Sequence, residues 1–413
     1  MYLSLIYLLS ERSLDHVVSD RIWPSIEWEE RAWVPRISPE LVSAGVRKRH
    51  AGPYRAAVVP FIGDRALELP TAVTALAEEA AVEVARFDAE LGSEVAPFAA
   101  VLLRSESATS SMIENLFSGA KAIVLAELGS TEKRNATEIV GNVEAMRAAL
   151  ELADRLDGDA ILAMHAALVA KTDPGIAGRW REEQVWIGGD SFGPHGAMFV
   201  PPHHEHVPGL MDDLVQFTRR TDLPLFSQAA IAHAQFETIH PFPDGNGRTG
   251  RALVHAMLRG HGLTRNVTVP VSAGLLADTS GYFDALTGYR DGDPAAIVEK
   301  LAEASFAATA NGRELVTELR AVRTSWDDKV KARRGAAAWT LADVLLRRPV
   351  VDAASVAAEL GVTPQNAQRA IAPLVESGIL TEFTGFKRNR MWQSREVLSA
   401  LDEFAARAGR RGR

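Results

Sequence analysis

The chain has no cysteine and no long apolar run, and each absence excludes a class of function. Without cysteine it forms no disulfide, uses no thiol nucleophile and builds no thiolate metal centre. The apolar segment at residues 1–9 is too short to span a bilayer and lacks the basic start of a secretory leader. With 47% hydrophobic and 24% charged residues the composition is typical of a soluble globular protein, so we expect a cytoplasmic location and no membrane contact.

Twelve residues near the middle of the chain, 240–251, combine an imidazole, a carboxylate, two glycines around an amide, and two arginines. Upstream apolar spacing predicts a helix over 226–239 that ends before Pro241, because proline disfavours helical backbone in the residue before it. The glycines allow backbone angles that turn successive amides towards an anion. Arg248 and Arg251 lie on one side of the first turn of a second predicted helix, where both can hold phosphate. The segment therefore predicts a phosphate-binding loop with a base at its start.

The whole segment resembles the signature of the Fic family, His-x-Phe-x-Asp/Glu-Gly-Asn-Gly-Arg-x-x-Arg, and matches it at every fixed position. The resemblance implies transfer of AMP from ATP to a Ser, Thr or Tyr hydroxyl of a target protein, with Mg²⁺ or Mn²⁺ as the metal. It implies His240 as the general base, Asp244 as the metal ligand and Phe242 as the residue that anchors the loop. The implied nucleotide-binding residues are Gly245, Asn246, Gly247, Arg248 and Arg251.

The sequence leaves two alternatives to AMP transfer open. The same site can remove AMP from a modified target or use another nucleotide. The chain can also be a DNA-binding regulator whose Fic core senses nucleotide. The Doc-type kinases of the same superfamily replace the Gly-Asn-Gly portion, so its presence here favours nucleotidyl transfer over phosphoryl transfer.

A second motif lies upstream, in a predicted helix at about 105–120. Its Ser-x-x-x-Glu spacing is by itself typical of a solvated helix face. Beside the loop it resembles the family's inhibitory helix, Ser/Thr-x-x-x-Glu-Gly/Asn, at Ser110, Glu114 and Asn115. The resemblance implies that Glu114 pairs with Arg251, occupies the cation meant for the γ-phosphate and suppresses AMP transfer. The same glutamate can instead orient water for hydrolytic removal of AMP, and the sequence leaves both roles open.

Two short β-like pieces surround a glycine-rich turn near 184–200, which predicts a hairpin. This hairpin resembles the family's flap, which pairs with an extended segment of the target protein, and a plain surface hairpin is the alternative. We also expect Gln235 and Tyr282 to line the nucleotide site, the tyrosine by stacking on adenine, with core packing as the alternative for both.

Residues 331–413 differ in charge from the rest, since they hold fourteen basic and eight acidic residues in a chain of net charge −8. Thr363 and Pro364 are a typical N-cap and first residue of a helix, and the order helix, turn, helix, two short strands predicts a winged helix. A protein-binding or dimerisation role is favoured over DNA binding, because the recognition helix carries one arginine and the acidic body opposes DNA. The side chains that could meet DNA are Gln365, Asn366, Gln368, Arg369, Lys387, Arg388 and Arg390.

Together these patterns predict a mainly α-helical chain with a Fic helical core, a small β-hairpin flap and a C-terminal winged helix-turn-helix domain. The expected boundaries are 1–125 for an N-terminal helical region with the inhibitory helix, 126–325 for the catalytic core and 331–413 for the winged helix. A target protein docked through the flap is the expected partner, and self-modification and a homodimer stay open.

Overall fold

The computed structural model describes residues 23–35, 42–92, 95–333, 335–385 and 389–410. The predicted mainly α-helical architecture is confirmed. The apolar N-terminal segment and the wing residues Lys387 and Arg388 lie outside the described residues. Among the helices of the described ranges, none has the length and apolar character needed to cross a membrane.

A helical N-terminal region is predicted, but the first described elements of the chain include two paired strands. Strand β1 (Glu27–Arg31) pairs antiparallel with β2 (Tyr54–Val58), and the short helix α1 (Ala44–Arg49) lies between them in sequence. The backbone groups of this stretch are hydrogen-bonded by the pairing of the two strands. Ala57 N–H of β2 also donates to the Val200 carbonyl at 3.0 Å. The hairpin therefore lies directly beside the predicted flap.

Long helices then build the body around one central helix. All side chains from Phe226 to Ile239 in that helix are buried, which explains its small and apolar composition. The helices of the body are α2 (Thr71–Glu90), α3 (Val95–Ile113), α4 (Ala120–Glu127), α5 (Arg134–Glu151), α6 (Gly158–Val169), α7 (Val207–Thr218), α8 (Leu225–Ile239), α9 (Asn246–Gly260), α10 (Val271–Leu276), α11 (Thr279–Arg290) and α12 (Pro294–Ser325).

The C-terminal part has the predicted winged-helix topology, with a three-stranded antiparallel sheet in the order β3-β5-β4. Thr363 caps the second helix of the helix-turn-helix by accepting a hydrogen bond from Asn366 N–H at 3.4 Å. Its elements are α13 (Ala337–Arg347), β3 (Val350–Asp352), α14 (Ala353–Leu360), α15 (Pro364–Glu376), β4 (Thr381–Glu382), β5 (Met391–Gln393) and α16 (Arg395–Arg410).

The winged helix packs on α3, the helix that carries the predicted inhibitory motif. Arg104 of α3 makes a bidentate pair with Glu127 of α4, at 2.8 Å for both contacts, and donates to the Arg347 carbonyl at the end of α13. Asp402 of α16 accepts a hydrogen bond of 2.8 Å from Ala120 N–H at the start of α4. Both sides of the turn at residues 114–119 are thus tied to the C-terminal part.

Candidate active site

His240 lies at the point where α8 stops. The helix ends at Ile239, and His240 takes a left-handed backbone with φ 52° and ψ 61°. This conformation costs a non-glycine residue about 1–2 kcal/mol and is typical of functional sites. The imidazole is thereby turned out of the helix axis, with 20% of the side chain exposed.

Arg181 fixes the start of the loop, a role that the sequence analysis did not assign. Its Nε donates to the His240 carbonyl at 2.8 Å, and its backbone N–H donates to the Pro241 carbonyl at 2.9 Å. Further bonds from its guanidinium reach the carbonyls of Glu183 and Pro202, and the residue is 2% exposed. One sequence gives no sign that an arginine in a glycine-rich stretch will be buried, so this residue was missed.

The imidazole of His240 is held in its neutral form. Burial, and then the positive charges of Arg181 and Arg290, lower the pKa of His240 to about 3. Its Nδ1 is buried without a hydrogen-bond partner in the described part of the chain. Nε2 is therefore the nitrogen that can accept a proton from outside.

Phe242 is completely buried, in the place that a loop anchor would need. Its ring stacks on His165 with centroids 3.7 Å apart and an interplanar angle of 5°, and it packs against Trp180. His165 also binds the loop, since its Nε2 donates to the Asp244 carbonyl at 3.1 Å while its Nδ1 accepts from Gly178 N–H at 3.2 Å. Burial lowers the pKa of His165 to about 4, which keeps the ring neutral, with one donor and one acceptor.

Asn246 differs from its expected place in the phosphate cradle. Its Oδ1 accepts from Phe242 N–H and its Nδ2 donates to the Phe242 carbonyl, both at 2.8 Å. Because both ends of the buried amide are used, the side chain clasps the loop instead of facing a ligand. The anion-binding groups left to the loop are its backbone amides at the N-terminus of α9.

Asp244 is the exposed carboxylate of the loop, with 74% of its side chain accessible. Its Oδ1 accepts a hydrogen bond of 2.7 Å from Gly245 N–H, where φ is 81°, and its Oδ2 lies 3.6 Å from Arg248 Nη2. Mg²⁺ is usually held by one or two carboxylates together with substrate phosphates. A single open carboxylate beside a phosphate-binding helix terminus fits that donor set.

The two arginines of the loop differ in how firmly they are held. Arg248 is buried but its charged contacts are long, at 3.9 Å to Glu138 and 3.6 Å to Asp244, and its Nε has no hydrogen-bond partner among the described residues. Arg251 is 4% exposed and fully engaged: Nε donates to Ser110 Oγ, and Nη2 donates to the Ser110 carbonyl and to Glu114 Oε1, each at 2.8 Å. Burial acts to lower the pKa of Arg251, but the Glu114 carboxylate outweighs it, and the net pKa is raised.

The Glu114 carboxylate lies against the first turn of α9. A β-carbon at Gly247 would collide with Glu114 Oε1, so the missing side chain leaves the space that the carboxylate fills. Negative charge is favoured there by the free amides and the dipole of the helix. The position that would suit a phosphate is therefore taken by a carboxylate of the same chain.

Asn115 sets the direction in which Glu114 leaves α3. Its φ is 60°, and its N–H donates to the Met112 carbonyl while Leu116 N–H donates to the Ser111 carbonyl, both at 3.0 Å. This is the hydrogen-bond pattern of a left-handed helix C-terminus, which favours glycine or asparagine. The left-handed backbone at Asn115 thus explains why the predicted inhibitory motif has glycine or asparagine at this position.

Gln235 and Tyr282 are both buried, and a place for them in the nucleotide site stays a prediction. Gln235 is 1% exposed, donates to the Pro60 carbonyl and accepts from Tyr289 Oη at 2.8 Å. Tyr282 is also 1% exposed, and its hydroxyl lies 2.7 Å from His233 Nε2. Core packing, the alternative given for both residues, accounts for these contacts. Helical spacing alone cannot tell which face of a helix lies at the site.

The predicted hairpin is present, but its strand pairing is reduced to one antiparallel bridge between Ile187 and Phe199. Next to this bridge, the Gln184 side chain joins the two segments, because its Nε2 donates to the Pro201 carbonyl at 2.9 Å. Met198 at the flap is 85% exposed.

The side chains expected to meet DNA are exposed where they are described. Arg369 Nη1 lies 3.3 Å from Asn366 Oδ1 on the recognition helix. Arg390 pairs with Glu382 of the neighbouring strand, which offsets its charge.

Two parts of the chain match known protein families. Residues 155–258 match the Fic/DOC family, and residues 340–393 match a family described as an HTH DNA binding domain. The chain therefore carries a Fic/DOC domain followed by a helix-turn-helix domain.

Relatives and neighbours are similar over parts of the chain. The protein adenylyltransferase fic-1 of Caenorhabditis elegans is 34% identical over 108 residues, which are 25% of this chain and 20% of that protein. A probable protein adenylyltransferase of Aquifex aeolicus is 45% identical over 69 residues, 16% of this chain and 22% of that protein. The chain thus matches about a fifth of the length of these relatives. The crystal structure of a Fic family protein from Desulfovibrio desulfuricans has a TM-score of 0.50 at 20% identity, covering 79% of this chain and 97% of that one, and shows a shared fold.

Proposed function

We propose that this protein transfers AMP from ATP to a hydroxyl group of a target protein and that Glu114 suppresses the reaction. The observation that carries the proposal is the pairing of Glu114 with Arg251 at 2.8 Å, on the first turn of a helix whose N-terminus is built to hold phosphate. The relatives named as protein adenylyltransferases support the same chemistry.

The proton of the target hydroxyl goes to His240. Its neutral imidazole accepts the proton at Nε2 while the hydroxyl oxygen forms a bond to the α-phosphorus, and the bond to the bridging oxygen breaks to release pyrophosphate. Arg181, Phe242 and Asn246 keep the loop rigid, which in-line transfer requires. When bound, Mg²⁺ or Mn²⁺ neutralises phosphate charge, and Asp244 is the carboxylate that would hold it.

The phosphates are held by cations and backbone amides. The N–H groups of Asn246 and Gly247 begin α9, while Gly245 N–H donates to Asp244 Oδ1. The guanidinium of Arg248 lies beside them and is partly unpaired within the described residues. Arg251 would take the γ-phosphate once Glu114 leaves. While the glutamate stays, ATP can bind only in a pose that misplaces the α-phosphate.

The target protein docks at the flap near 184–200 in this proposal. Exposed Met198 and the bridge between Ile187 and Phe199 offer an edge for an extended segment. The composition supports a cytoplasmic location, and the protein itself is the default acceptor for a first assay.

The test is AMP transfer from α-labelled ATP with Mg²⁺, comparing wild type, Glu114→Gly and Glu114→Gly/His240→Ala. Label should appear with Glu114→Gly and vanish in the double variant. Glu132→Gly serves as the matched control, since Glu132 is an exposed glutamate on the loop before α5 and should change nothing. Absence of label in all variants, together with AMP release from a modified protein by the wild type, would replace the proposal with the reverse reaction.

A further inference from the structure

We propose that Glu237 is a positioning residue that stabilises the protonated form of His240. The inference rests on the proposed AMP transfer, in which His240 takes the proton of the target hydroxyl. Neither the signature motif nor the inhibitory motif includes this position, which lies three residues before the histidine in the last turn of α8.

The geometry places a buried carboxylate behind the base. Glu237 Oε2 lies 3.9 Å from His240 Nδ1, and the glutamate side chain is 8% exposed. His240 Nδ1 and Glu237 Oε1 are both buried without a hydrogen-bond partner in the described ranges. A modest rotation of either side chain would join Nδ1–H to the carboxylate. Histidine bases are commonly oriented by a carboxylate at the second ring nitrogen.

The Glu237 carboxylate fits against α9 because Gly250 has no side chain. A β-carbon at Gly250 would lie 2.8 Å from Glu237 Oε1, closer than real β-carbons approach. The second glycine of the loop sequence Gly-Arg-Thr-Gly-Arg therefore allows α9 to pack against a helix that carries this glutamate.

The charges around His240 explain why a carboxylate is needed. Arg181 and Arg290 both act to lower the pKa of His240, and they oppose the imidazolium that forms during transfer. Asp244 acts in the other direction but is the carboxylate assigned to the metal. The backbone of Glu237 also favours the protonated ring, although it carries no net charge. The Glu237 carboxylate is the counter-charge that remains beside Nδ1.

The carboxylate is itself poised near neutrality. Burial raises the pKa of Glu237 to about 7, with Arg251 and Arg290 lowering it and Glu114 raising it. Because a raised carboxyl pKa means that the neutral acid persists up to neutral pH, the charged form appears as pH rises through about 7. The rate of AMP transfer should rise over the same range, although His240 stays neutral throughout it. The titratable and charged groups that face this carboxyl are Glu114, Arg251, Tyr282, Arg290, His233 and His240.

The first experiment measures AMP transfer against pH in the full chain with Glu114→Gly, with and without Glu237→Gln. The glutamine keeps the size but cannot ionise, so transfer above neutrality should fall on the order of 10²-fold and the rise with pH should disappear. In the Glu114→Gly background this rise is expected below pH 7, because the Glu114 carboxylate that helps to raise the pKa of Glu237 is absent. Nucleotide affinity should stay within about twofold, because the residue acts on the proton and not on the phosphates. Glu237→Asp should restore part of the pH-dependent rise, and Glu151→Gln, an exposed glutamate at the end of α5, should match the parent. An unchanged pH profile in Glu237→Gln, or an equal loss of nucleotide binding, would overturn the proposal.

A second measurement does not need activity. In protein labelled with ¹⁵N-histidine, the His240 signal is assigned by its loss in His240→Ala and followed across neutral pH. Ionisation of Glu237 should shift the His240 nitrogen resonances near pH 7, and the shift should be absent in Glu237→Gln. If this shift is present but no AMP is transferred, the proposed reaction is contradicted and the interaction between Glu237 and His240 is supported. If the shift is absent, that interaction is contradicted whatever the activity.

Discussion

Arg251 donates a hydrogen bond of 2.8 Å to Glu114, although 137 positions separate the two residues in the chain. The pair depends on where α3 ends relative to the start of α9. Because α3 is also fastened to the winged helix through Arg104, the position of Glu114 depends on the fold and not on one contact alone.

The left-handed backbone of Asn115, after the end of α3, gives a prediction about the proposed inhibition by Glu114. Asn115→Gly should keep the inhibited state, because glycine adopts φ 60° without strain. Asn115→Val should raise AMP transfer, since a β-branched residue resists this backbone and the turn must rearrange. In the Glu114→Gly background the valine variant should add nothing. Equal stimulation in both backgrounds, measured with α-labelled ATP, would show that Asn115 does not act through Glu114.

The clasp made by Asn246 gives a prediction about the loop. Asn246→Ala removes two hydrogen bonds of 2.8 Å and leaves the buried N–H and carbonyl of Phe242 unpaired, which destabilises the loop by about 1–3 kcal/mol for each group. Transfer in the Glu114→Gly background should fall, and nucleotide affinity should fall with it, because the amides that hold phosphate lose their fixed positions. Asn246→Asp keeps the acceptor for Phe242 N–H and should retain more binding. Undiminished ATP affinity in the alanine variant would argue that the side chain is not needed to shape the loop.

The sequence predicted the loop and the helical fold well because both depend on local patterns. His240, Gly245 and Arg251 are placed by a helix stop, a positive φ and the first turn of a helix, all of which short-range chemistry dictates. The winged helix could be predicted because Thr363 and Pro364 mark the start of a helix directly after a turn.

Other parts of the site depend on contacts between distant segments and could not be read from one sequence. Arg181 binds carbonyls about sixty positions away, and His165 binds the loop from another helix. The surroundings of Gln235 could not be read from its spacing, because its helix is buried on all sides and has no periodicity to mark a functional face. Tyr282 lies on the buried face of a helix that is exposed elsewhere.

The attachment of α3 to the winged helix gives a prediction about regulation. Arg104→Met removes the bidentate contact with Glu127 and the bond to the Arg347 carbonyl, so the end of α3 is held less firmly. AMP transfer should rise in the otherwise wild-type chain and stay unchanged in the Glu114→Gly background, where the brake is already absent. The control is Arg313→Met, which breaks ion pairs with Glu83 and Glu90 on α2. Stimulation by the control as well would mean that general destabilisation, and not the link to the winged helix, releases the site.

The buried His165 gives a prediction about acid stability. Its pKa is about 4 in the folded chain and 6.5 when exposed, so between these values the unfolded chain binds a proton that the folded chain refuses. The free energy of unfolding must then fall as pH drops from 6.5 to 4, by about 1.4 kcal/mol per pH unit for this one group. His165→Phe keeps a ring for Phe242 to stack on but cannot titrate, and His165→Asn cannot titrate either. Both should be less stable than wild type near neutral pH and should lose less stability on acidification, as urea unfolding across this range would measure. If the free energy of unfolding of both variants falls with pH as steeply as that of the wild type, His165 already takes up its proton in the folded chain. The interpretation that a neutral His165 ring holds the Asp244 carbonyl would then be wrong.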